Sequence, residues 1–274
     1  MKLRYIIPAL FLGFLGVACE DVVDLDLPEG EALLVVDGSI TTKDTIHYLT
    51  VANTVSYDTE GALPGITALV VLRDDKGRID TLAETEPGSG IYAITSPGVV
   101  GNTYTLEIET PDGKQYQSSP EFLAPVTEID SIYLEEDEFE EDQYFVEFNT
   151  FDPPGFGNYY RWKHYIDGEF QNKPENLAFA SDEFVDGNPV LGLRLSESVE
   201  LGKLYKVEQL SISKAYFEYL SVLQTQTAFV GSIFDPPPAP IEGNVFNIRD
   251  ENELVAGFFS ASDVQTQSIV VREP

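Results

Sequence analysis

Two histidines, one cysteine and 47 carboxylates carry most of the reactive capacity of this 274-residue chain, and their spacing limits what they can do. His47 lies in the strand-like run HYLTVANTV with no acidic motif beside it, and His164 closes the run NYYRWKH. A lone histidine in a strand reads first as a hydrogen-bonded structural residue. No G-x-S-x-G, no H-E-x-x-H and no phosphate-cradling glycine loop occurs. A glycosidase-type carboxylate pair is defined by a separation in space, which a chain this rich in acids does not disclose. The expectation is a non-enzymatic protein with no cofactor and no dedicated metal site.

The segment NYYRWKHY is the strongest recognition candidate. In an extended strand Tyr160, Trp162 and His164 share one face, and Tyr159, Arg161, Lys163 and Tyr165 share the other. An exposed aromatic face can stack on a carbohydrate or anchor a protein partner. The plainer reading is that the chain's only tryptophan fills a core. Two further segments invite function. The acidic run EEDEFEEDQ at 135–143 offers oxygen ligands for Ca²⁺, but it lacks the Asp spacing and turn glycine of a dedicated loop and reads as a solvated connection. FDPPPAPI should be extended, as a docking ridge or as an edge segment lying on a sheet.

Cys19 stands where an apolar run meets an acidic one. Lys2 and Arg4 precede the apolar stretch 6–17, and Ala18 supplies the small residue before a cleavage point. The stretch falls short of the roughly 20 apolar residues that a membrane-spanning helix needs. Residues 1–18 therefore read as an export signal. Cys19 reads as a site for lipid attachment, or as a chance cysteine behind an ordinary signal. Each buried methylene contributes about 0.8 kcal/mol, so two or three acyl chains would anchor the protein durably. Residues 19–31, rich in Asp and Glu, would form a tether. The formal charge of −31 becomes two units more negative once Lys2 and Arg4 are removed. Such a chain is repelled by nucleic acid and by anionic lipid, so membrane attachment would rest on the lipid alone.

From Leu33 onward, short β-rich segments alternate with Gly, Asp and Pro punctuation. Hairpins are predicted at Asp75-Lys76-Gly77 and at Pro111-Asp112-Gly113. In the second, Tyr104, Leu106 and Ile108 face one side, while Thr105, Glu107 and Glu109 face the other. About seven strands in this stretch suggest an immunoglobulin-like β-sandwich over 32–124, without the paired cysteines of true immunoglobulin domains. The proline-bearing stretch SSPEFLAPVTEIDSI marks a boundary. Eight further strand-like runs over 125–274 suggest a second β-sandwich. It carries one helix near 214–227, with Ser213 as its N-cap and Tyr216, Leu220 and Leu223 on one face. The fold class expected is mainly β.

The lipobox-like AC with its acidic follow-on, LLVVDGSIT, NYYRWK, AYFEYLSVLQ and FDPPPAPIEGNVFNIRDENELVAGFFSAS occur here in one order. This combination resembles the Bacteroidota outer-membrane lipoproteins of domain-of-unknown-function family 4249, most specifically over 234–262. The resemblance implies an outer-membrane location through Cys19, and a TonB-dependent nutrient receptor as partner. It transfers no catalytic residues. The acids after Cys19 are similar to those that mark surface export in some lipoproteins of this group. The expected function is that of a non-catalytic accessory that captures or delivers a nutrient, carbohydrate among the possibilities. The rival is a surface adhesion or structural protein, with a hydrolase bearing a cryptic carboxylate pair behind it.

Overall fold

A computed structural model describes residues 32–55, 61–137, 143–227 and 241–273. Cys19, the export signal, the acidic tether, the middle of the acidic run and most of FDPPPAPI fall outside these residues, so those expectations are not addressed by the fold.

Both predicted hairpins form. Strands β3 (Leu69–Asp74) and β4 (Ile79–Glu84) pair antiparallel across the first turn, and β6 (Thr103–Glu109) and β7 (Gln115–Ser118) pair across the second. In the second turn the Gly113 N–H donates to Thr110 O at 2.9 Å, and Gly113 holds φ 82°, a conformation costly for any residue with a Cβ. The alternation in β6 is as expected, with Tyr104, Leu106 and Ile108 buried and their neighbours outward. With β1 (Leu34–Thr41), β2 (His47–Asn53), β5 (Ile91–Ile94) and β8 (Glu121–Phe122), these strands build the first sandwich. Its two layers join through β4: Ile79 to Leu82 pair with β3, and Ala83 and Glu84 pair with β5.

The expected domain boundaries need correction, because the first sandwich is not complete at residue 124. Strand β17 (Val245–Asn247) pairs antiparallel with β7, and β18 (Val255–Ala256) and β19 (Phe259–Ser262) run parallel to β1. Val245, Val255, Phe259 and Ala261 enter the first core beside Val36, Leu49 and Leu106. The side chain of Asn244 grips this returning segment, with Oδ1 accepting from Phe259 N at 2.9 Å and Nδ2 donating to Phe259 O at 2.8 Å. Gly257 is required where the segment meets β1, since a Cβ there would stand 2.3 Å from Val36 O. The residue pattern marks 245–262 as strands, but it is silent on which sheet they join.

The second sandwich is built from two sheets. One contains β9 (Ile129–Glu136), β10 (Gln143–Phe151), β14 (Pro189–Arg194) and β15 (Val199–Glu200). The other contains β11 (Tyr159–Ile166), β12 (Glu169–Phe170), β13 (Ala178–Ser181), β16 (Leu204–Ser211) and β20 (Val264–Val270). Tyr144, Val146 and Phe148 from the first sheet meet Trp162, Tyr205 and Val207 from the second in one core. Each such buried side chain contributes roughly 1.5–3 kcal/mol. Helix α1 (Lys214–Thr227) lies on the outer face of the second sheet. The Ser213 hydroxyl accepts the Tyr216 N–H at 3.1 Å, which caps the helix as expected. Tyr216, Leu220 and Leu223 face Leu210, Ile212 and Phe179. Where the chain leaves β19 for β20, the Asp263 carboxylate accepts from Thr42 Oγ1 at 2.7 Å and from Val126 N at 2.9 Å, fastening the two sandwiches together.

Candidate functional site

Strand β11 lies between β16 on one edge and β12 and β13 on the other, and its inner face packs against Tyr144, Val146 and Phe148 of the facing sheet. Trp162 is 8% exposed and His164 is 1% exposed. The exposed aromatic platform anticipated at Tyr160, Trp162 and His164 is thus corrected: all three are buried in the sandwich, and the core reading of Trp162 holds. The indole N–H donates to Gln209 Oε1 at 2.9 Å, and Gln209 Nε2 donates to Thr150 Oγ1 at 2.9 Å and to Thr127 O at 2.9 Å. This network satisfies the tryptophan's polar atom without using its ring face. His164 stacks on Tyr205 at 5.6 Å, and its desolvation lowers its pKa. His47 is buried in β2, its Nε2 3.2 Å from Lys43 O, and desolvation lowers its pKa too.

Burial does not remove Tyr160 and Trp162 from contact with a ligand-sized space. They stack on each other at 5.9 Å and line a cavity of about 460 Å³ at the end of the sandwich. Phe151, Phe179, Phe184 and Leu193 complete walls that are mostly apolar, and His164 is not among the lining residues. Phe184, 90% exposed, stands on the rim, and Phe156 and Leu191 are also exposed in neighbouring segments. Arg194 is the cation in the lining. It lies over the Phe145 ring at 3.9 Å and is ion-paired with Glu135 and Glu147, which holds the Glu147 carboxyl below its usual range.

One corner of the cavity is braced by carboxylates. Asp152, 1% exposed, Asp182, 3% exposed, and Asp186 each place an oxygen within 4.8 Å of the others. Tyr160 donates its hydroxyl to Asp152 at 2.5 Å, and the Gly187 N–H donates to the same carboxylate at 3.1 Å. Gly157 and Asn158 donate backbone N–H groups to Asp182 at 2.7 and 2.9 Å, and Gly155 donates to Asp186 at 2.5 Å. Burial first, and then the Asp152 charge, pushes the Tyr160 hydroxyl far above its ordinary pKa, so it remains a donor. Five donors offset the mutual repulsion of three anions and tie the β10–β11 loop to the β13–β14 loop. An all-oxygen donor set of this kind suits a hard cation such as Ca²⁺. It is distinct from the acidic run at 135–143. Asp152 lies 30 residues before Asp182, and Asp186 follows four residues later, so the sequence pattern does not announce the cluster.

Comparison with known proteins gives the family and little beyond it. No curated protein matches the chain. Among solved structures, the two fibronectin type-III domain segment from chicken tenascin is similar at 15% identity, covering 66% of this chain and 91% of its own, with a TM-score of 0.20. Residues 20–268 match the family described as domain of unknown function DUF4249, and the chain belongs to that family.

Proposed function

We propose that this protein is a non-catalytic capture protein, anchored through lipidated Cys19 in the outer membrane and working beside a TonB-dependent nutrient receptor. The observation that carries the reading is the cavity floored by Tyr160 and Trp162, whose apolar, aromatic walls suit a nutrient with an apolar face, such as the C–H face of a carbohydrate. Lipidation would confine the protein to two dimensions and raise its effective concentration near the receptor. A second reading, surface adhesion, is favoured by the exposed Phe184 on the cavity rim and the exposed Phe156 and Leu191 in neighbouring segments, which would suit contact with another protein.

The test is affinity purification from gently solubilised native membranes, comparing wild type with Cys19→Ser, followed by mass spectrometry. A TonB-dependent barrel recovered stoichiometrically with the wild type alone supports the accessory role. Recovery from the outer membrane without a barrel overturns that partnership and turns attention to adhesion. A wild-type protein found in the soluble fraction refutes the anchor itself.

A further inference from the structure

The outer face of β11 carries charge where its inner face carries aromatic rings. Arg161 and Lys163 point to that outer side, towards the helix and the first sandwich. Beside them lies a hollow of about 180 Å³, lined by Arg161, Lys173, Gln171, Asn172, Asn176 and Phe170, with Trp162 and Leu177 forming a wall that it shares with the aromatic cavity. No carboxylate lines it, although the chain has 47 acidic residues against 16 basic ones. Lys163 stands next to the hollow, its ammonium 5.8 Å from the centre of the Phe170 ring.

These cations are incompletely compensated. Arg161 donates to the Tyr216 hydroxyl, but its Nε is buried with no hydrogen-bond partner. Among the described residues neither Arg161 nor Lys163 has a carboxylate within ion-pair distance. Two acids act on Lys163 from further away. Glu208 is already engaged by Lys43 at 2.5 Å, Lys206 at 2.9 Å and the Tyr165 hydroxyl at 3.0 Å. Asp37 on β1 accepts the Phe258 backbone N–H. Its residue is reached by solvent yet sits in a recess crowded enough to raise its pKa, with Arg161 and Lys163 pulling the other way. Desolvation, followed by Arg161, lowers Lys163 to about 8, which marks a cation without a close counterion.

We propose that Arg161, Lys163 and Lys173 form a binding site for a small oxyanion beside β11, adjoining the aromatic cavity across Trp162 and Leu177. A guanidinium, two ammonium groups and side-chain amides match the oxygens of a carboxylate, a sulfate or a phosphate. The absence of carboxylates from the lining excludes cations, and the modest volume excludes polymers except by a terminal or pendant acidic group. In a capture protein, this site would select acidic forms of the nutrient.

Isothermal titration of the full chain with sodium galacturonate, inorganic sulfate and inorganic phosphate, in dilute chloride buffer, tests the site. Saturable binding of at least one anion is expected, weakened about tenfold by Lys163→Met or Arg161→Gln, in keeping with charged hydrogen bonds of roughly 1.5–3 kcal/mol. Lys173→Gln, on the exposed rim, should weaken binding several-fold while leaving the circular dichroism spectrum and melting temperature unchanged. Tyr160→Phe, which lines the aromatic cavity and not the hollow, should leave anion affinity unaltered. Galacturonate binding alone would identify the ligand as a carboxylate, and sulfate or phosphate binding alone would identify a tetrahedral ester. No saturable binding at millimolar concentration overturns the proposal, as does binding that survives unchanged in both Lys163→Met and Lys173→Gln.

Discussion

The two faces of β11 obey the same period of two and meet opposite fates. Inward, Tyr160, Trp162 and His164 join a core in which each polar atom of Tyr160 and Trp162 has a partner. Outward, Arg161 and Lys163 sit among Tyr216, Glu208 and Asp37 with their charges only partly answered. A buried ring is stabilised by what surrounds it, whereas a recessed cation without a counterion is a cost that the rest of the fold must offset. One strand thus holds both a stabilising face and a destabilising one. The second is the face that gains most from a ligand.

Substitution separates the faces by sign. Trp162→Ala should cost about 3–5 kcal/mol, because it opens a void in the core and strands Gln209 Oε1. Urea denaturation followed by circular dichroism measures the loss, and a cost below about 1 kcal/mol would mean that the ring is not packed as described.

Lys163→Met should be neutral or stabilising at pH 7, since it replaces an uncompensated cation by an apolar chain of similar length. The accompanying pH dependence is directional. Lys163 titrates near 8 in the folded protein and near 10.5 in the unfolded chain, so between these values the unfolded state binds more protons and folding stability rises with pH. The rise should be on the order of 2 kcal/mol and should vanish in Lys163→Met. Above about 10 the tyrosines oppose it, because burial keeps Tyr219, among others, protonated to about 12 in the fold. The window from pH 8 to 10 is therefore the informative one, and identical profiles for wild type and variant would remove Lys163 from the account.

The smallest effect concerns the helix that covers the outer face. Ser213→Ala should cost about 1 kcal/mol by leaving the Tyr216 N–H without its cap, and it should loosen the contact between Tyr216 and Arg161. Thermal melts detect the first consequence. Weaker anion affinity without a change at the aromatic cavity would reveal the second.

Local order was readable from the residues, and partnership was not. The helix spans Lys214–Thr227 as its apolar spacing and Ser213 imply, and the hairpins turn where Gly77 and Gly113 permit. These features depend on neighbours within a few positions. The choice of inner face in β11 does not, because both faces carry aromatic rings and only the sheet packed against them decides. The cavity was illegible for the same reason. Its floor comes from 160 and 162, its walls from 151, 179, 184 and 193, and the carboxylate brace from 152, 182 and 186. Nothing in the spacing of those residues announces that they meet.

The return of β17–β19 to the first sandwich has a bearing on how the chain acquires its shape. Residues 32–124 supply most of that core but not its closing strands, which come after all of the second sandwich except its last strand, β20. A chain emerging N-terminus first must therefore hold β1 and β7 with bare hydrogen-bonding edges until residue 262 arrives, the interval in which unpaired strands are most prone to aggregate. Topologically most of the second sandwich is inserted into the first, and its last strand, β20, follows the return. A fragment cut at the apparent boundary near 124 would be a half-closed sheet, and a productive truncation would instead rejoin 124 to 243 and end before β20, whose partner β16 is removed with the inserted segment.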